Sequence, residues 1–141
     1  MINENIKDYV KVYNNFLDKD FCEGVIKELQ NNNWETHSFY LPMKNEFITH
    51  IDDLSVSFNR KEEKCDHIHT IFDGKKRGIP VLSIVGALNE DYEGGEFIMW
   101  ETEKIELPQG SIMIFPSNFM YPHKVMPVTK GTRYSYVSWT Y

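Results

Sequence analysis

Short apolar runs separated by turn residues fill the second half of the chain, and they constrain its fold more than any other feature. Residues 79–88 and 111–115 are apolar almost throughout, as in strands that are covered on both faces. Gly, Pro, Asn and Asp cluster between such runs, at 91–95 and 108–110. Many short strands in this arrangement are typical of a sandwich, barrel or jelly roll. Further strands are predicted at 96–100, 104–107 and 133–141.

The N-terminal part predicts one strand followed by one helix. Residues 9–17 alternate between polar and apolar side chains, and Asp18 is suited to cap a helix, since its carboxylate can accept from N–H groups of the first turn. Apolar side chains then recur at spacings of three and four, as on one buried face of a helix. Asparagines at 31–33 end the run. The apolar positions are Phe21, Cys22, Val25, Ile26 and Leu29.

The region between this helix and the C-terminal strands has a weaker pattern. Residues 36–40 and 54–58 predict short strands, and 43–53 predict a loop or a frayed helix. With no repeat, linker or low-complexity tract, we expect residues 1–141 to form a single domain.

Charge and targeting signals narrow the class of protein. The net charge of −6 argues against a nucleic-acid binder, which needs a basic face. Residues 1–5 lack the basic and apolar segments of a secretion signal, and no apolar run is long enough to span a bilayer. Cys22 and Cys65 have no metal-binding spacing and are expected to be reduced thiols. We therefore expect a cytoplasmic protein without membrane or nucleic-acid partners, and the oligomeric state stays open.

A histidine and an arginine near the C-terminus are the first candidates for chemistry. His123 lies between Pro122 and Lys124, and a lone histidine in such a place is usually structural. Arg133 follows ten residues later, and Ser135 shares its strand face because side chains alternate with period two. A guanidinium and a hydroxyl on one face suit a carboxylate ligand. The alternative is a barrel-end arginine paired with a surface glutamate.

A second cluster, Asp66-His67-Ile68-His69, contains more metal-binding residue types. On a regular strand His67 and His69 share one face, and with His123 they would form a three-histidine site that suits zinc, iron or copper. The other face carries Asp66 together with Lys64, where a site of two histidines and one carboxylate would need an imidazole. The residues alone leave both arrangements open.

The chain resembles the prolyl-4-hydroxylase-type iron(II)/2-oxoglutarate dioxygenases, particularly their small microbial and phage members. The resemblance covers residues 64–141 and depends on motifs in a fixed order, each of them weak alone. These motifs are Leu88-Asn89-Glu90-Asp91-Tyr92-Glu93-Gly94-Gly95-Glu96-Phe97, Phe115-Pro116-Ser117, Pro122-His123-Lys124-Val125 and Gly131-Thr132-Arg133-Tyr134-Ser135.

This resemblance implies a mainly β fold, a double-stranded β-helix (jelly roll) with one or two N-terminal helices. It implies Fe(II), 2-oxoglutarate and O2 as cofactor and cosubstrates. Asp66 and His123 would be metal ligands, with His67 and His69 as the alternative pair, and Lys64 stands where the first histidine of a His-x-Asp motif belongs. Arg133 would bind the C5 carboxylate of 2-oxoglutarate with help from Ser135. The metal ligands would be the only catalytic residues.

Three functions follow from these interpretations. The first is an oxygenase that hydroxylates a peptidyl prolyl or similar side chain, in a peptide or small-molecule substrate, and releases succinate and CO2. The second is a catalytically degenerate β-helix relative that acts as a binding module, which Lys64 favours. The third is a cupin-like protein with a three-histidine metal site at His67, His69 and His123.

Overall fold

A computed structural model describes residues 5–41, 46–55 and 80–140. Candidate site residues Lys64, Asp66, His67 and His69 lie outside these ranges, as does Cys65. Within them, a 3-10 helix (Ile6–Tyr9) and one α-helix, α1 (Lys19–Leu29), accompany eleven strands. The strands are β1 (Lys11–Tyr13), β2 (Glu35–Leu41), β3 (Glu46–Ser55), β4 (Leu82–Ala87), β5 (Glu93–Gly94), β6 (Phe97–Met99), β7 (Glu103–Ile105), β8 (Ile112–Pro116), β9 (His123–Val125), β10 (Val128–Lys130) and β11 (Ser135–Thr140).

The strands form antiparallel sheets, which confirms the mainly β, jelly-roll type of fold. A four-stranded sheet has the order β1-β8-β4-β11, and a three-stranded sheet has the order β7-β6-β9. Two-stranded pairs are formed by β10 with β5 and by β2 with β3. One α-helix and a 3-10 helix near the N-terminus agree with the expected one or two helices.

Contacts divide the chain into two compact units, Met1–Ile26 with Asp66–Tyr141, and Lys27–Cys65. The second unit contains the β2–β3 hairpin, whose register runs from Glu35 opposite Ser55 to Leu41 opposite Glu46, with an irregularity after Thr36. The expected single domain stays a prediction.

The core of the first unit lies between the four-stranded and the three-stranded sheet. Val85 pairs with Met113, and both are buried on the same face because paired residues in a ladder point the same way. Phe97 and Met99 of β6 supply the opposite side. The core residues are Val85, Phe97, Met99, Met113, Phe115 and Tyr121.

The N-terminal helix begins and ends as the sequence predicts. Asp18 Oδ1 accepts from the Phe21 N–H at 2.8 Å, which confirms the N-cap, and Asn32 Nδ2 donates to the Glu28 carbonyl at 3.0 Å at the other end. Before the helix, the Leu17 N–H donates to the Gly110 carbonyl at 2.9 Å. Gly110 has φ +80°, and a Cβ there would lie 2.2 Å from the Leu17 carbonyl oxygen. Only glycine fits this junction.

Several predictions were wrong in their extent. The predicted strand 133–141 begins only at Ser135, so Arg133 lies before it. The predicted strand 9–17 is limited to β1, because Tyr9 belongs to the 3-10 helix and a turn follows Tyr13. Residues 43–53, predicted as loop or frayed helix, include most of β3, whose partner β2 supplies the hydrogen bonds. Pairing between strands overrides a weak local preference. Among the described residues, no helix is long and apolar enough to cross a bilayer.

Candidate active site

His123 lies on the core side of the three-stranded sheet, at the start of β9. It pairs with Met99, which is fully buried. Its imidazole stacks on Phe97, with ring centroids 5.3 Å apart and planes 12° apart, and meets the edge of Phe115 at 5.0 Å. Phe115 belongs to the opposite sheet. The ring therefore lies between the two sheets, yet the residue remains exposed.

A backbone carbonyl selects the tautomer of this ring. His123 Nδ1 is 3.0 Å from the Tyr121 carbonyl oxygen. A carbonyl can only accept, so Nδ1 carries the hydrogen, and in the neutral ring Nε2 holds the lone pair. Metal-bound histidines are commonly oriented by such a bond from the other ring nitrogen. The imidazole is thus prepared to bind a metal through Nε2.

Trp100 holds the loop that provides this carbonyl. Its indole Nε1–H donates to the Met120 carbonyl at 2.8 Å, and its backbone N–H donates to the Pro122 carbonyl at 3.0 Å. The Trp100 and Tyr121 rings also contact each other, with centroids 5.9 Å apart. Three contacts from one residue restrain the segment that immediately precedes His123.

Arg133 precedes β11 at the edge of the four-stranded sheet. Its Nη1 donates to Ser135 Oγ at 2.9 Å, and the residue is half-buried. None of the ion pairs found between described residues includes Arg133, so the described carboxylates leave its charge unpaired. The sequence predicted that Arg133 opens this strand and shares a face with Ser135, but β11 begins at Ser135, and the two side chains are joined by the hydrogen bond alone.

Ser135 lies on the sheet face that carries the core residue Val85, although Ser135 itself is exposed. Ser135 and Val137 lie on one face of β11, and Val137 pairs with the core residue Val85. The two candidate groups therefore come from opposite sheets of the first unit, since His123 begins β9 and Ser135, the partner of Arg133, begins β11.

The remaining predicted ligands, Asp66, His67 and His69, lie outside the described residues. In the described ranges, no three His, Cys, Asp or Glu side chains come together in a way that could hold a metal. The described part of the site thus offers one imidazole whose donor atom suits Fe(II), and the choice between Asp66 and the histidine pair stays a prediction.

A second His-x-Asp sequence occurs at His50-Ile51-Asp52, within β3. These are the residue types and the spacing that the resemblance requires, but they belong to the other compact unit. The spacing is visible in the sequence and provides a competing ligand pair for experiments on metal binding.

Comparison with known proteins identifies the family. The sequence profile of the 2OG-Fe(II) oxygenase superfamily matches residues 37–141, which is most of the chain. A PKHD-type hydroxylase of Pseudomonas aeruginosa (strain LESB58) is 41 % identical over 54 residues, covering 36 % of this chain and 23 % of the relative. A PKHD-type hydroxylase of Janthinobacterium sp. (strain Marseille) is 37 % identical over 95 residues, covering 58 % and 41 %.

The chain thus matches less than half the length of these curated relatives. The profile nevertheless includes both described candidate groups, His123 and Arg133. The chain belongs to the 2OG-Fe(II) oxygenase superfamily, whose members are named for their use of 2-oxoglutarate and Fe(II).

Proposed function

We propose that this chain is an Fe(II)- and 2-oxoglutarate-dependent oxygenase domain that hydroxylates a peptidyl prolyl or similar side chain, releasing succinate and CO2. The observation that carries the proposal is the orientation of His123. Its ring is fixed between the two sheets with Nδ1 bonded to a carbonyl, which leaves Nε2 for a metal. The prolyl substrate rests on the resemblance to prolyl-4-hydroxylase-type enzymes, and a cytoplasmic location is part of the proposal.

In this proposal each residue has a separate task. His123 supplies one metal ligand, and Asp66 supplies the carboxylate ligand, with His67 and His69 as the alternative. Arg133 binds the C5 carboxylate of 2-oxoglutarate through its guanidinium, because two N–H donors match two carboxylate oxygens. Ser135 Oγ accepts a hydrogen bond from Arg133 Nη1 and so orients the guanidinium.

The bound metal would supply the oxidative chemistry, which amino-acid side chains do not perform alone. The task of the chain is to orient the reactants and exclude water. The aromatic rings of Phe97 and Phe115 contribute to this task, since they pack against the ligating imidazole and present no competing donor.

Anaerobic titration tests the proposal. The protein is mixed with Fe(II) under nitrogen and 2-oxoglutarate is added while the visible absorption is followed for a weak metal-to-ligand charge-transfer band. We expect the band and, on admitting air with a peptide substrate, succinate. Fe(II) binding that gives no charge-transfer band and does not depend on 2-oxoglutarate would support the cupin-like alternative. Absence of both Fe(II) uptake and succinate would support the degenerate binding module.

Lys64 provides a sharper version of this experiment. An ammonium has no lone pair at neutral pH and repels a cation, so a lysine at a ligand position should weaken the site. If Asp66 is the carboxylate ligand, Lys64→His should tighten Fe(II) binding, and Asp66→Ala should cancel that gain. Variants His67→Ala, His69→Ala and Asp52→Ala distinguish the competing ligand sets.

A further inference from the structure

We infer that Asn89 is a positioning residue for Arg133, because its side-chain amide binds the backbone on both sides of the arginine and thereby fixes where the guanidinium lies. The inference rests on the proposed role of Arg133 in binding 2-oxoglutarate. In the sequence, Asn89 belongs to one of the motifs that carry the resemblance and has no role of its own.

Two hydrogen bonds from one amide flank Arg133. Asn89 Nδ2 donates to the Thr132 carbonyl at 2.7 Å, and Asn89 Oδ1 accepts from the Tyr134 N–H at 2.7 Å. In an extended chain the carbonyl before a residue and the N–H after it point to the same side, so a neighbouring strand can bind both. The Asn89 amide does the same for Arg133.

The amide can adopt only one orientation in this site. Its second N–H donates to Asp91 Oδ1 at 2.5 Å, and Asn89 is 6 % exposed. Two acceptors and one donor surround the group, so a flipped amide would place Oδ1 against two oxygens. The cost of leaving buried polar groups unpaired therefore resists movement of the segment from Thr132 to Tyr134.

Asn89 lies just beyond the point where the regular pairing of β4 with β11 ends. The ladder between β4 and β11 ends with Ala87 opposite Ser135, and the Leu88 N–H still donates to the Tyr134 carbonyl at 3.0 Å. Asn89 extends this pairing past the end of the ladder by means of a side chain. Arg133 is thus held at its backbone, although it lies outside the regular strand.

The arginine side chain is restrained at two further points. A Cβ on Gly95 would lie 3.0 Å from Arg133 Cδ, so the stem passes close to the backbone of this turn. At the tip, Nη1 bonds to Ser135. Fixing the backbone, the stem and the tip reduces the conformational entropy that the guanidinium loses when a carboxylate binds.

The experiment measures binding of 2-oxoglutarate to metal-free protein and, separately, of Fe(II) under nitrogen. Ligand-observed NMR extends the measurable affinity to the millimolar range. The variants are Asn89→Ala, Arg133→Ala and the combination of both. Ser111→Ala is the control, because it removes a hydrogen bond of another buried polar side chain, from Ser111 Oγ to Asn14 Oδ1 at 3.0 Å, that does not involve the segment around Arg133.

Asn89→Ala should weaken 2-oxoglutarate binding about five-fold or more, without changing Fe(II) affinity, and should have no further effect once Arg133 is alanine. Ser111→Ala should leave 2-oxoglutarate binding unchanged. Equal losses from Asn89→Ala with and without Arg133 would overturn the inference, as would an unchanged affinity. If Arg133→Ala itself leaves binding unchanged, the proposed role of Arg133 fails instead.

A second variant removes only one of the bonds and guards against misfolding of the alanine variant. Asn89→Asp combined with Asp91→Asn keeps the net charge, the bond between positions 89 and 91 and the acceptor for the Tyr134 N–H. It replaces the donor to the Thr132 carbonyl by a carboxylate oxygen, which repels that carbonyl. We expect 2-oxoglutarate binding to weaken about two-fold or more, and wild-type affinity in a folded variant would contradict the inference.

Discussion

His123 lies on the three-stranded sheet, whereas Arg133 precedes the last strand of the four-stranded sheet, and the two are held by different kinds of contact. The imidazole is fixed by aromatic packing against Phe97 and Phe115, with one bond to a carbonyl. The guanidinium is fixed through its backbone and stem, and its tip bonds to Ser135. A metal needs one lone pair in a fixed direction, whereas a carboxylate needs several N–H donors. The two environments meet these two needs.

This difference predicts that the two groups can be disabled independently. Because the contacts that hold one do not include the other, a change at His123 should affect the metal, and a change at Arg133 should affect the organic acid. The predictions below test this separation, beginning with the largest effect.

His123→Ala should abolish iron binding by the proposed site. Loss of a partner that merely orients a ligand costs about 10- to 100-fold in metal affinity, so loss of the ligand itself should cost at least about 100-fold. Fe(II) affinity is measured at equilibrium under nitrogen. Binding of 2-oxoglutarate by the metal-free variant should match that of the metal-free wild type. Retained iron affinity would show that the imidazole is not a ligand, and loss of both affinities would show that the groups are not independent.

Arg133→Ala should weaken 2-oxoglutarate binding by about 10- to 100-fold, the range expected for a charge-assisted hydrogen bond. Titration calorimetry measures this affinity, and Fe(II) affinity should not change. Ser135→Ala is the graded control. It removes one neutral partner of the guanidinium and should cost about two- to ten-fold. Equal losses from both variants would mean that the charge of Arg133 does not contact the ligand.

Trp100→Phe should make the position of the His123 imidazole less fixed and leave the Arg133 side of the site unchanged. It keeps an aromatic ring beside Tyr121 but removes the N–H that binds the Met120 carbonyl. Fe(II) affinity should fall about two- to ten-fold, with 2-oxoglutarate binding by the metal-free protein unchanged. Lys7→Ala is the control, since Lys7 Nζ lies over the Trp100 ring at 5.8 Å but does not engage the indole N–H. An effect of Lys7→Ala as large as that of Trp100→Phe would contradict this assignment.

Alkaline pH should lower the free energy of unfolding by a small amount, because the buried Cys22 thiol resists ionisation. Burial raises the pKa of the Cys22 thiol, and the nearby Asp18 charge adds to the rise. Below the unfolded pKa, about 8.5, the thiol is neutral in both states and stability is unaffected. Above it the unfolded chain releases its proton first, so the free energy of unfolding falls as pH rises through the folded pKa.

Denaturant titrations of wild type and Cys22→Ala across this pH range measure the effect. In Cys22→Ala, the free energy of unfolding should not show the decline that begins above the unfolded thiol pKa. The pKa of Tyr136 is also raised by burial, and its contribution begins at higher pH, near 10, in both proteins. Identical slopes for the two proteins would show that Cys22 does not contribute.

Local sequence signals predicted the helix and its ends. Asp18 caps the first turn because its carboxylate reaches a backbone N–H three residues away, and the side chain of Asn32 binds a carbonyl four residues back. Such contacts depend only on neighbouring residues. The C-terminal strands β4, β8 and β11 were predicted for a similar reason, since their apolar runs and turns are continuous in the sequence.

Strand β3 and the short strand β9 depend on pairing with other strands instead. β3 acquires its hydrogen bonds from the preceding strand β2, and β9 pairs with β6, more than twenty residues earlier. Local composition carries little information about such pairing, because β preference is mostly a matter of packing against neighbours. For the same reason the sequence leaves open which face His123 occupies.

The sequence by itself determined the mainly β class, because apolar runs and turn residues are local signals. It also placed Ser135 near Arg133, two residues away, although β11 begins only at Ser135 and the two side chains meet through a hydrogen bond. Only the tertiary structure decided that His123 lies between two aromatic rings with Nε2 available, and that Asn89 holds the backbone around Arg133. The Asn89 bonds join residues 43 and 45 positions apart. Contacts at that separation form only when the sheets assemble.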